Sequence, residues 1–156
     1  MADMIMQWRK PVQLTWNSAK NDYTADDKKL MEISDTPGIY IFAKKHGKSF
    51  TPIYVGYSAK LRNRIIKQLN NHKLMVAVGN AGNGSRWVLV AQPKRKPGQT
   101  TSTVAKRMES FLIRKFQADG WELLNEKGVR RSVKTVRWID STEFRALVPL
   151  QTQIEK

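Results

Sequence analysis

The stretch from Gly38 to Gly56 does most to limit what this chain can fold into. Along Gly38–Lys44 the side chains alternate. Ile39, Ile41 and Ala43 point to one side and Tyr40 and Phe42 to the other, which is the period-two pattern of a strand. His46-Gly47-Lys48 marks a turn, and Pro52-Ile53-Tyr54-Val55 brings the chain back. Two strands this close together, with a turn between them, predict an antiparallel hairpin in which each strand carries one tyrosine, Tyr40 and Tyr54.

The remaining elements are read outward from that hairpin. Val12–Trp16 alternates and is expected to be an edge strand. Thr24 followed by Asp27 has the form of a capping box opening a short helix through Ile33, with Leu30 and Ile33 on its buried side. Asp35-Thr36-Pro37-Gly38 reads as a stop and a turn. Ser58 can cap a helix from Ala59 to about Asn70, with Leu61, Ile65, Ile66 and Leu69 as its apolar stripe and Lys60, Arg64, Lys67 and Gln68 on the other side. Gly79–Gly84 lacks the Gly-Lys-Ser/Thr ending of a phosphate-cradling loop and is expected to be a flexible connection. Arg86–Gln92 is apolar enough for a central strand. A long helix opens at Ser102 or Thr103 and stops at Gly120, a C-cap glycine. Trp121–Leu124 is a short apolar return closed by Asn125, and the basic, alternating tail suggests a strand and then a short helix near Thr142–Leu147.

The chain's 156 residues make one domain, 1–156, large enough to bury a core. The absence of cysteine excludes disulfides and thiolate metal sites and fits a cytoplasmic protein. No secretory signal is read at the N-terminus, and the apolar runs are too short to cross a bilayer. Charge says most about partners. Lys and Arg number 28 against 13 Asp and Glu, a net charge of +15. Such an excess points first to nucleic acid and only second to an anionic membrane, because no basic amphipathic helix with an apolar aromatic face stands out.

Glu109 carries the clearest chemical signal. Ala105, Leu112, Ile113 and Phe116 surround it at helical spacing, so it sits in an apolar stripe, where an unpaired carboxylate is costly. Either a structural salt bridge to an arginine or a hard divalent cation would answer that cost. Arg64, on a polar helix face, is either a solvated charge or a fork for a phosphate oxygen. Tyr40 and Tyr54 are either packing residues or proton relays. Asn125 is in the ordinary case a turn residue. The two histidines, His46 and His72, are too few for a histidine metal cage, and His72 reads as a helix-end residue near a C-terminal dipole.

Taken in order, Gly38-Ile39-Tyr40, Tyr54-Val55-Gly56, Ser58, Leu61, Arg64, Glu109 and Asn125 resemble the GIY-YIG nuclease family, with Val55 in place of the central isoleucine of the second triplet. The similarity covers about Gly38 to Asn125. It implies an α/β (α+β) fold, a small mixed or antiparallel sheet of about three central strands flanked by helices. Residues 38–125 would form the catalytic core, and 1–37 and 126–156 would be extensions that pack on it or contact DNA. It further implies a metal-dependent endonuclease with one Mg²⁺ or Mn²⁺ ion held by Glu109. Tyr40 would activate or position the attacking water, as a general base or by passing a proton onward. Tyr54 would hydrogen-bond the phosphate or the water, Arg64 would stabilise the pentacovalent phosphate and Asn125 would brace the site. Some family members carry His or Tyr four residues after the arginine. Here that position is Gln68, with His72 one turn further on.

Lys60, Arg62, Lys67, His72, Lys94, Arg95, Lys96, Arg130 and Arg131 are the expected nucleic-acid contacts, on duplex or branched DNA. No membrane or disulfide partner is expected. Two other readings compete with the nuclease: a basic nucleic-acid-binding module whose site no longer cuts, and a structural or ribosome-associated basic protein.

Overall fold

The structure, a computed structural model, describes residues 4–20, 22–94, 101–125, 135–139 and 151–153. In chain order its elements are β1 (Met4–Trp8), β2 (Val12–Asn17), β3 (Asp22–Ala25), α1 (Asp27–Met31), β4 (Gly38–His46), β5 (Ser49–Ser58), α2 (Leu61–Leu69), α3 (His72–Gly79), β6 (Ser85–Pro93), α4 (Thr101–Ala118), β7 (Thr135–Ile139) and β8 (Gln151–Gln153). This is a mixed α+β fold built on one sheet.

The expected hairpin is β4 and β5, antiparallel, with Tyr40 opposite Gly56 and Phe42 opposite Tyr54. The register shifts between Phe42 and Ala43, which faces Pro52, so Ile53 has no partner on β4. On its other side β4 pairs with β6, which is the central strand expected at Arg86–Gln92.

The sheet is larger than the three strands expected. β1 and β2 lie one after the other along the far edge of β6, Trp8 opposite Ala91 and Val12 opposite Val88. Four residues on one strand thus span three on the other. The extra residue falls beside Pro11, which has no N–H to give to a ladder. β2 also pairs with β3, so Val12–Trp16 is an interior strand and not an edge. β7 runs parallel to β1, and β8 pairs with β7. Segments before Gly38 and beyond Asn125 therefore supply strands to the same sheet. The helix expected near Thr142–Leu147 lies outside the described residues.

Strand alternation divides the core as the sequence predicts. Ile39, Ile41, Ala43 and Val55 pack with Met108, Leu112, Ile113 and Phe116 of α4. Tyr40, Phe42, Val88 and Val90 pack on the opposite face with Leu61, Ile65 and Leu69 of α2 and Met75 and Val78 of α3.

Local signals fared unevenly. Gly120 has φ 90° and ends α4 as expected: its N–H bonds Gln117 O and the Trp121 N–H bonds Phe116 O, the paired bonds of a Schellman motif. Leu30 and Ile33 are buried, but α1 is capped by Asp26, whose side chain accepts from the Lys28 N–H. Thr24 lies in β3 and donates to Thr15 O instead. Ser58 does not cap α2. It is the last residue of β5, its hydroxyl accepting from the Lys60 N–H, and Lys60 takes the cap position without a side-chain bond. Ile66, placed on the apolar stripe, is exposed.

The Gly79–Gly84 connection is tied down. Arg86, only 3% exposed, donates from Nε to Val78 O at 2.8 Å, from Nη1 to Gly84 O at 2.7 Å, and from Nη2 to Gly79 O at 3.1 Å and to Gly82 O. The loop's carbonyls solvate a buried guanidinium, which fixes the loop around it.

Candidate active site

The two glycines of the triplets have steric reasons to be glycine. A Cβ on Gly56 would fall 2.1 Å from Tyr40 Cζ and 2.2 Å from its hydroxyl, so the tyrosine ring lies in the space a side chain would need. A Cβ on Gly38 would fall 2.7 Å from Leu61 Cδ2 and 2.8 Å from Ala91 O, so this glycine lets α2 close onto the sheet.

Tyr40 is 1% exposed, and its hydroxyl accepts a 2.8 Å hydrogen bond from Gln68 Nε2. Burial pushes the phenol far above its ordinary range, and the Gln68 bond pulls back only in part. Tyr40 therefore stays protonated. Its charge state is also sensitive to Tyr54, Arg64 and Glu109, all within electrostatic reach. Tyr54 is half-buried on the same face, its ring 6.2 Å from that of Tyr40 and 6.3 Å from Phe42.

Glu109 reaches the outer edge of β5, where its carboxylate accepts from the Tyr57 backbone N–H. Burial raises its pKa; the Tyr57 bond, Lys106 and Arg64 act in the opposite direction. Among the described residues the contacts within 4.0 Å between a basic and an acidic side chain are His72–Asp22 and Lys115–Asp119. The salt bridge that would have explained Glu109 structurally is not among them.

Asn125 sits one opening further along the same edge. Its Oδ1 accepts from the Val55 N–H at 2.8 Å and its Nδ2 donates to Val55 O at 2.6 Å. Leu124 N–H bonds Ile53 O at 2.8 Å. Leu124, Asn125 and Glu109 thus satisfy alternate residues of β5 in the manner of a neighbouring strand.

An open cleft of about 980 Å³ lies at the end of β5, lined by Tyr57, Lys60, Arg64, Lys67, Lys106 and Glu109 among others. Four cations face one carboxylate there, a balance suited to a polyanion. Sequence reasoning found Lys60, Arg64, Lys67 and Glu109. It missed Tyr57 and Lys106, although Lys106 lies three residues before Glu109 on the same helical face. Tyr40 and Tyr54 lie behind the cleft and do not line it.

The other expected contacts are dispersed. Arg62 donates to Ile33 O at 3.4 Å. Lys94 is exposed at the end of β6. His72 opens α3 and does not close α2, so it stands at a helix N-terminus, and its Nδ1 is 3.1 Å from Asp22. Arg95, Lys96, Arg130 and Arg131 lie outside the described residues.

Protein-family models, curated proteins and solved structures include none that matches this chain. The site's own chemistry must carry any assignment.

Among the described residues no three His, Cys, Asp or Glu side chains converge, which leaves Glu109 as the carboxylate facing the cleft. Mg²⁺ commonly binds through one or two carboxylates, completing its shell with waters and substrate phosphates. The Tyr57 N–H occupies only part of the acceptor capacity of Glu109. Burial of the carboxylate also favours a neighbouring cation. The residues fit a Mg²⁺ or Mn²⁺ ion shared with a phosphate.

Proposed function

We propose that the chain is a metal-dependent DNA endonuclease that hydrolyses phosphodiester bonds at the cleft beside β5, with a site of the GIY-YIG type. The observation that carries this reading is that Arg64 and Glu109 line one open, basic cleft without pairing to each other. A structural role for either residue would be better served by an ion pair between them.

Each residue then has a task. Lys60, Lys67 and Lys106 bind the phosphate backbone. Arg64 neutralises negative charge as the phosphorus becomes five-coordinate, an interaction that strengthens in the transition state. Glu109 would hold the divalent ion, which when bound supplies Lewis acidity and stabilises the leaving oxygen. Tyr54 packs beside Tyr40, their rings 6.2 Å apart, behind the residues that line the cleft. Tyr40, buried with its hydroxyl bonded to Gln68, serves as a donor and a fixed dipole at the edge of the site. Asn125 keeps β5 in register beneath these groups.

The test is Mg²⁺-dependent nicking of supercoiled plasmid by wild type, Glu109→Ala and Arg64→Ala. The expected result is nicking by wild type and a drop of about 10²–10³-fold or more in each variant, the range seen when one transition-state contact is removed. Equal activity in all three would overturn the assignment. DNA binding without cutting by any of them would favour the non-catalytic binding module.

A further inference from the structure

A second cleft, of about 880 Å³, opens at the other end of β5. Its lining includes Ile53, Trp121, Leu124, Lys44, His46 and Glu122. Trp121 and Leu124 are each 41% exposed. On so basic a chain, an exposed indole beside an exposed leucine calls for a ligand with an apolar face and a negative charge nearby.

Position narrows the choice. The Trp121 N–H is bonded to Phe116 O and the Leu124 N–H to Ile53 O, so both ends of this return are fixed to the fold. The next residue is Asn125, which braces β5 at Val55. From Ile53, in this cleft, to Tyr57, in the catalytic cleft, is four strand residues, about 13 Å. A nucleic-acid strand covers that in a few nucleotides. A strand whose phosphate lies at Arg64 and Glu109 and which follows the edge of β5 therefore brings a neighbouring base over Trp121. A base in perfect duplex is already stacked on both faces and cannot present one to an indole. An unpaired base can, and base–aromatic stacking beside cations is how single strands are held. Lys44, whose Nζ also donates to Ala81 O at 2.8 Å, supplies positive charge, and Glu122 disfavours a second phosphate there.

We propose that the Trp121 cleft is a subsite for an unpaired nucleobase a few nucleotides from the scissile phosphate. Through it the enzyme selects DNA with a single-stranded stretch, such as gapped or branched substrates, over perfect duplex. The proposal rests on the endonuclease reading for its geometry, but its test does not need cutting.

Fluorescence anisotropy in EDTA, with full-length protein and labelled DNA, compares a perfect duplex with the same duplex carrying a short gap. Wild type is expected to favour the gapped DNA. Trp121→Ala is expected to lose about tenfold on the gapped DNA and little on the duplex, and Trp121→Phe to keep most of the affinity. Unchanged binding of gapped DNA by Trp121→Ala, or an equal loss on both DNAs, overturns the subsite. Should Trp121→Ala melt well below wild type, an abasic residue moved along the gap gives the same information with wild-type protein. One position reproducing the loss supports the subsite, and no position doing so overturns it. A wild type that binds in this pattern but never nicks DNA with Mg²⁺ keeps the subsite and removes the nuclease. One that nicks while ignoring position 121 does the reverse.

Discussion

Asn125 and Glu109 occupy successive openings on the outer edge of β5, Asn125 bonded to both backbone groups of Val55 and Glu109 to the N–H of Tyr57. One is an amide that can both donate and accept, and it meets a residue offering both groups. The other is a carboxylate that only accepts, and it meets an N–H. The strand thereby fixes the position of Glu109 relative to the hairpin that carries both tyrosines.

Asn125→Ala removes two hydrogen bonds and is expected to cost about 1–2 kcal/mol of stability. Asn125→Asp keeps an acceptor for the Val55 N–H but presents a second oxygen to Val55 O, so it should be no better than alanine. Chemical denaturation of the three proteins, with hydrogen exchange at Val55, checks this.

Glu109 gives a pH signature. Its folded pKa lies above that of the free side chain, so the proton is bound more tightly in the folded state. The carboxylate does not penalise folding while it is protonated in both states. Stability is lost as pH rises from the ordinary carboxylate range through the raised value. Glu109→Gln should therefore melt higher than wild type at neutral pH, with the gap closing in acid. Millimolar Mg²⁺ should raise the melting temperature of wild type and leave Glu109→Gln unmoved. A variant less stable than wild type at every pH would contradict this account.

Tyr40 and Gln68 form a testable pair. Burial keeps the phenol neutral well beyond the ordinary tyrosine range. In an alkaline titration followed by phenolate absorbance, Tyr40 should ionise only as the fold is lost. Gln68→Ala leaves the hydroxyl without its partner and should cost about 1–3 kcal/mol. Ionisation of Tyr40 before unfolding, identified by its loss in a Tyr40→Phe variant, would show that the hydroxyl is not held as described.

Gly56→Ala places a methyl group inside the Tyr40 ring and should destabilise by about 3 kcal/mol or more, the upper range for overpacking. Tyr40→Ala empties the same space. The double variant should be far more stable than the sum of the two losses predicts, and simple additivity in a double-mutant cycle would rule the contact out as the cause.

Where local chemistry decides structure, the sequence could be read directly. Ile39, Tyr40, Ile41 and Phe42 alternate because a strand has two faces, and they divide between two cores as predicted. Gly120 stops α4 because that backbone conformation favours glycine. Where distant segments decide, it could not. Nothing near Val12 announces that β6 lies on one side of it and β3 on the other. Nothing in Gly79–Gly84 shows that Arg86 will draw the loop's carbonyls inward. Ser58 was misplaced because cap chemistry also fits the end of a strand, and a serine hydroxyl serves either setting. Within the site, Glu109 was legible as a carboxylate in an apolar stripe, whereas Arg64, on a polar helix face, stood out only through its place in the ordered set of residues. Tyr57 was not legible, since a tyrosine on a strand carries no such signal.

The covering of β5 has a consequence for the protein in a concentrated solution. A strand paired on one side only offers its free groups to any other extended chain, and natural sheets guard such borders against joining with copies of themselves. Here the guard is the carboxylate of Glu109 and the amide of Asn125, the same side chains to which the proposed reaction gives tasks. Removing both would take away the proposed reaction and also leave a ready template for intermolecular strand addition, so loss of activity and a tendency to aggregate should arise together.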